Sequence, residues 1–227
     1  MPFTLSHAAA VLPLHAAARR RTQLAALVIG SMAPDFVYFL SLGISGAFTH
    51  SAAGIFLYCL PAGLVAYLVY HLLLRDAFIA WAPTGIAARM APAPHWLPRD
   101  AGGALSIVVS LALGGHVFPL HKLLQHLSSA LGLLVIAACI ARWMARTPPC
   151  QPLQGRPGAG QRLSVLLVLA GAAAAGSLAG MLFRPAASLE RGLFNAVVTG
   201  MAAAMLALLL LAAGRRVWLA RPAKRRA

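Results

Sequence analysis

An all-α polytopic membrane helix bundle of six to seven membrane segments is what this sequence predicts, on three observations. Hydrophobic residues make up 60% of the 227 and charged residues only 10%, whereas a water-soluble domain carries roughly a quarter charged. Apolar runs long enough to cross about 30 Å of hydrocarbon occupy residues 24–42, 52–74, 101–120, 123–145, 163–183 and 193–213. The basic residues also fall into alternate connections. With the C-terminus in the cytoplasm, sixteen of the nineteen Lys and Arg lie on that side and only Lys122, Arg184 and Arg191 on the other, the bias that the positive-inside rule describes.

That sorting decides what the net charge of +15 is for. Basic residues concentrated on one side of a bilayer, without interleaved aromatics, make a topology signal rather than a nucleic-acid groove. The expected partner is therefore the bilayer itself, with anionic headgroups on the cytoplasmic side, and no nucleic acid. Cys59, Cys139 and Cys150 lack paired spacing, so neither a disulfide framework nor a thiolate metal site is expected. No cleavable export signal is expected at the start either.

Taken in order, residues 3–18 are uncharged and alanine-rich and end at Arg19–Arg21. Ser6 suits the N-cap of a helix there and the arginines its C-terminal end. This helix either lies along the inner surface or crosses as a short tilted span. Helical rise favours crossing: His7 is 14 residues before Arg21 and Asp35 is 11 after Leu24, about 21 and 16 Å along the two axes. A crossing helix brings His7 to about the depth of Asp35, near the outer connection carrying His50.

Gly30, Ser31 and Pro34 interrupt the next segment, and Pro34 predicts a kink just before Asp35. Residues 75–100, with Arg75, Arg89, Arg99, Trp81, Trp96 and four prolines, read as a surface-lying inner loop. His71 and His95 near it read as wetted imidazoles. A tight outer turn then gathers His116, His121 and His126 on the side of His50. The domain organisation expected is a motif-bearing bundle over 1–146, a flexible cytoplasmic linker over 147–162, a two-helix membrane scaffold over 163–214 and a basic cytoplasmic tail over 215–227. Within the scaffold, Gly176 to Gly180 and Ala196 to Gly200 have the small-residue spacing of closely packed helices.

The chemistry centres on Asp35, one of four acids in the chain. A carboxylate in an apolar segment must be protonated, paired or bound to a cation, because a lone charge in hydrocarbon costs several kcal/mol. Asp35 with His50 forms a candidate metal or proton site. The plainer alternative is a packing kink with Asp35 hydrogen-bonded to a neighbouring helix.

Four stretches carry a resemblance: Met1-Pro2-Phe3-Thr4-Leu5-Ser6-His7, Gly30-Ser31-Met32-Ala33-Pro34-Asp35-Phe36, Phe48-Thr49-His50-Ser51 and Leu123-Leu124-Gln125-His126-Leu127-Ser128-Ser129. In them the chain resembles the bacterial integral membrane family known as domain of unknown function 4184. More distantly, the order His, Pro-Asp, Phe-Thr-His-Ser is similar to inner-membrane metal-dependent hydrolases related to zinc-dependent phospholipase C. The resemblance implies a bacterial inner-membrane location and His7, Asp35 and His50 as metal-facing residues. Zinc or another divalent metal is the implied cofactor, with Asp35 and His50 the catalytic pair.

Those hydrolases also carry a Ser-His-x-x-x-Asp segment. Here Ser110-Leu111-Ala112-Leu113-Gly114-Gly115-His116 lacks the acid, and His116 is the available substitute ligand. Two functions follow as expectations: a metal-dependent hydrolase lacking the usual second His/Asp pair, or a catalytically inactive membrane scaffold or binding protein keeping the fold. A proton-coupled transporter ranks below both, because the chain shows no matching halves.

Overall fold

The computed structural model describes residues 7–18, 22–40, 43–90, 100–116, 129–149, 156–184 and 186–220. These are mostly helical, with no strand among them. The helices are α1 (His7–Ala18), α2 (Leu24–Leu40), α3 (Gly46–Thr49), α4 (Ala52–Trp81), α5 (Thr84–Met90), α6 (Ala101–His116), α7 (Ser129–Arg146), α8 (Ala159–Phe183) and α9 (Leu189–Ala220). Three of them, α4, α8 and α9, are long and apolar enough to cross a membrane, and α2 and α6 hold shorter apolar helices. The chain divides into two compact units, residues 1–69 with 95–148 and residues 70–94 with 149–227.

In the first unit, α2 packs on α6, and α1 packs on both α2 and α7. Two glycines set how close α2 and α6 come. A Cβ at Gly30 would strike the Leu111 backbone, and one at Gly114 would meet the Leu27 carbonyl and lie 2.8 Å from the Ser31 nitrogen. Ala26, Tyr67, Ile107 and Leu111 form the core beside this crossing, with Ile29 and Leu60 packed against it.

The two helices run in the same direction, since Gln23 meets Ser110 and Leu27 meets Gly114. At the start of α2 the Gln23 side chain makes no cap. The fully buried Ser110 of α6 does so instead: its Oγ accepts from the Gln23 amide at 3.0 Å and donates to the Ser106 carbonyl at 2.7 Å. One orphan amide at the head of α2 is thereby satisfied across the helix pair. The α1–α2 turn is closed by His15 Nδ1 and Thr22 Oγ1 at 2.9 Å.

Where a kink is expected in α2, the helix changes from α to 3₁₀. Pro34 has no amide to donate, and residues Ala33–Asp35 tighten into a 3₁₀ turn with the Phe36 amide donating to the Ala33 carbonyl. Ser6 lies outside the described residues, as do His95, Trp96, Arg99, His121 and His126.

In the second unit α8 and α9 lie along each other, and the small residues singled out above form the contact. A Cβ at Gly176 would stand 2.6 Å from Ala203 Cβ, one at Gly180 2.6 Å from the Asn195 carbonyl, and one at Gly200 2.8 Å from the Ala173 carbonyl. Ala196 is buried in the same seam. Close approach of this kind is how helices associate when lipid removes the hydrophobic drive. Gly180→Leu is expected to part α8 from α9, whereas Gly171→Leu, at a glycine with open space around it, is not. Cysteine crosslinking between the two helices in membranes reads the difference.

The loop expected over 75–100 is corrected in part. α4 continues through Arg75–Trp81 and α5 follows at Thr84–Met90, while 91–99 lie outside the described residues. The physical reason is that Arg75 does not end the helix but is buried in it. Its Nη1 stands 3.5 Å from Asp76 Oδ1, and its Nη2 donates to the Met90 carbonyl at 3.4 Å. Of residues 147–162, Arg156 donates through Nη2 to the Ala80 carbonyl at 3.3 Å and to that of Ala82, capping the end of α4. α8 begins at Ala159, and α9 carries Arg215 and Arg216 within its helix to Ala220.

Candidate functional site

Asp35 stands at the end of the 3₁₀ turn, with 9% of its surface exposed. Pro34, which has no amide to donate to the helix ladder, lies in the same 3₁₀ turn. His50 reaches it from a compact turn between α3 and α4. Ser45 caps α3 by accepting from the Phe48 amide at 3.2 Å. Ser51 caps α4 by accepting from the Gly54 amide at 3.0 Å, and its own hydroxyl donates to the Phe48 carbonyl at 2.7 Å. Two serine caps back to back leave His50 only a narrow range of backbone positions.

The result is a carboxylate and an imidazole brought together across the first unit, Asp35 Oδ1 to His50 Nε2 at 3.6 Å. That is longer than a normal hydrogen bond and close enough for an electrostatic contact between the two groups. It also fits two ligands of one ion. The 3.6 Å spacing is one at which Asp35 and His50 would be able to share an ion, given ligand distances of about 2 Å. Among the described residues no group of three His, Cys, Asp or Glu is placed to hold a metal.

Of the other two candidate ligands, His7 is the first residue of α1 and His116 the last of α6. Their side chains lie outside what is described. The parallel packing of α2 and α6 puts the His116 end of α6 on the same end of the pair as Asp35.

Three neighbours escaped the sequence reading. Tyr38, three residues after Asp35, packs its hydroxyl against Gly46, where a Cβ would collide with it. Thr49 is fully buried, its Oγ1 donating to the Gly46 carbonyl at 3.1 Å. Cys59, expected to be a small hydrophobe, donates its thiol to the Thr49 carbonyl at 3.2 Å. Tyr38 and Cys59 both lie within electrostatic reach of Asp35. The proximity of Tyr38 follows from its i+3 spacing on α2. That of Cys59 had no sequence signal, because it depends on a π-helical turn over Ile55–Cys59. The extra residue in that turn shifts all that follows by about 100° around the helix.

The family described as "Domain of unknown function (DUF4184)" matches residues 1–118 and 115–213. No curated protein and no solved structure matches the chain.

Proposed function

The chain belongs to the DUF4184 family, and from this premise and the Asp35–His50 pair we propose a multi-pass inner-membrane protein with a divalent-cation site, acting as a metal-dependent hydrolase. The observation that carries it is the 3.6 Å approach of Asp35 to His50 at a helix break. Burying an acid in an apolar helix is costly, and an ionisable residue within a membrane segment is by default a reason to propose a functional site there.

Support for the membrane setting comes from the outer faces of the helices. Leu133, Leu134 and Ile140 on α7 and Leu163, Leu166, Leu167, Leu182 and Phe183 on α8 are exposed, a surface suited to hydrocarbon rather than water. We place the C-terminus in the cytoplasm, with its basic residues against anionic headgroups. Six or seven segments then cross, α1 being the one that can lie flat.

In this proposal Asp35 supplies negative charge and His50 a neutral imidazole nitrogen, with His7 as third donor and His116 as a further one. A bound divalent ion, zinc or a comparable metal, supplies Lewis acidity toward a phosphoester or similar bond. The chain's own contribution is to hold the two donors apart at ligand spacing and to keep the turn that bears His50 rigid.

Metal analysis of detergent-purified protein tests this. Wild type is expected to retain about one equivalent of divalent metal, and Asp35→Asn to retain at least tenfold less, since ligand loss exceeds the 10- to 100-fold cost of losing an outer partner. Equal contents in the two proteins would remove the proposal.

A second function, a catalytically inactive scaffold or binding protein, is favoured by one observation. In the segment where the resemblance calls for a further His and Asp, Ser110 caps α2, while Leu111 and Gly114 lie in the α2–α6 crossing. Metal retention without hydrolysis of a phosphodiester in the membrane would select this function.

A further inference from the structure

We propose that Cys59 is the positioning residue for His50, tying the peptide that bears the imidazole to the first turns of α4. The proposal rests on reading Asp35 and His50 as a cation site, and it adds a residue to which that reading assigns nothing.

The geometry converges on one peptide. The Cys59 thiol is 3.2 Å from the carbonyl of Thr49, the residue whose carbonyl carbon is bonded to the His50 nitrogen. Thr49 itself is fully buried and turned inward onto the Gly46 carbonyl. On the other side Gly54 has no room for a Cβ, which would stand 2.9 Å from the Thr49 Cα and closer still to the Phe48 carbonyl. The His50 amide donates to the Gly46 carbonyl at 3.1 Å, and the Ser51 amide to that of Phe48 at 2.9 Å.

These bonds account for the amides of the turn. They leave the Thr49 carbonyl, at the C-terminal end of a one-turn helix, to be satisfied from outside it. Cys59 does so from ten residues away, and the π-helical turn over Ile55–Cys59 is what swings it beneath the carbonyl. A wide turn of this kind inside a helix is often found where a function needs a side chain redirected. A thiol is a weak donor, compact enough to enter this contact without spreading α3 from α4. With the Thr49 carbonyl held, the backbone from which the His50 imidazole reaches Asp35 is fixed, and only the side-chain rotamer is left to choose.

The test uses full-length protein in detergent with two readouts. Hydrogen exchange of residues 45–55, measured without metal, reports the turn; cobalt(II) absorption reports the pair. Cys59→Ala is expected to speed exchange in 45–55 about fivefold, as loss of one modest hydrogen bond would. It is also expected to weaken cobalt binding at least tenfold. Cys59→Ser, which restores a donor of similar size, is expected to stay within about threefold of wild type in both. Unchanged exchange in Cys59→Ala, or failure of serine to rescue, overturns the proposal. Absence of cobalt uptake by wild type overturns the cation reading alone, because the metal-free exchange measurement still decides the role of Cys59.

Discussion

Gly30→Leu and Gly114→Leu are each expected to leave little folded protein. At Gly30 the first atom of any side chain meets the Leu111 backbone, and at Gly114 it meets the backbone of Leu27 and Ser31. No rotamer change relieves a clash with main chain, so α2 and α6 must move apart. That would open the core of Ala26, Tyr67, Ile107 and Leu111 and break the bond from the Gln23 amide to Ser110. Overpacking a well-packed interior costs about 1–3 kcal/mol and occasionally more, and a clash with main chain puts leucine at the upper end. The expected readout is loss of the monodisperse peak in size-exclusion chromatography in mild detergent, with Gly30→Ala intermediate. Leucine variants that elute and melt like wild type would mean that the crossing is not closed as described.

The second large effect separates stability from function at Asp35 and His50. His50→Leu leaves the acid, only 9% exposed, facing an apolar side chain. Removing one partner of a fully buried pair costs about 3–5 kcal/mol, and with the His50 side chain 24% exposed the loss expected here is at or below the low end of that range. The double replacement Asp35→Leu with His50→Leu removes both polar groups and is expected to be as stable as wild type or more so, by about 1–4 kcal/mol. Denaturant unfolding in detergent at neutral pH gives both values. A destabilised double variant would mean that the pair is glue between α2 and the α3–α4 turn, the packing role weighed at the outset. A stabilised double variant that has lost its metal would mean that the pair is kept for chemistry at the expense of stability.

Much of the local structure was legible because it follows from residue types that act alone. Pro34 lacks an amide wherever it sits, so the break before Asp35 could be read directly. Gly176, Gly180, Ala196 and Gly200 permit close approach by having little or no side chain, and their spacing disclosed the α8–α9 seam. Asp35 and His50 could be paired from the scarcity of acids and the short distance between two motifs. Arg75 misled for the opposite reason: a charge after an apolar run reads as the end of a helix. Asp76 and the Met90 carbonyl supply it with partners inside the fold. Arg156 likewise sits in a stretch whose composition reads as a linker, and its role as a cap on α4 exists only because Ala80 and Ala82 present their carbonyls to it.

The amino-acid sequence by itself determined that this chain is helical, apolar on its outer faces and broken at one acid, because hydrogen-bonding capacity, side-chain volume and charge belong to single residues. The tertiary structure alone decided that Ser110 completes α2, that α4 runs on past Arg75 and that Cys59 holds the peptide of His50. Each of these depends on a partner distant in sequence being brought within about 3.5 Å, and no periodicity in the chain records that distance.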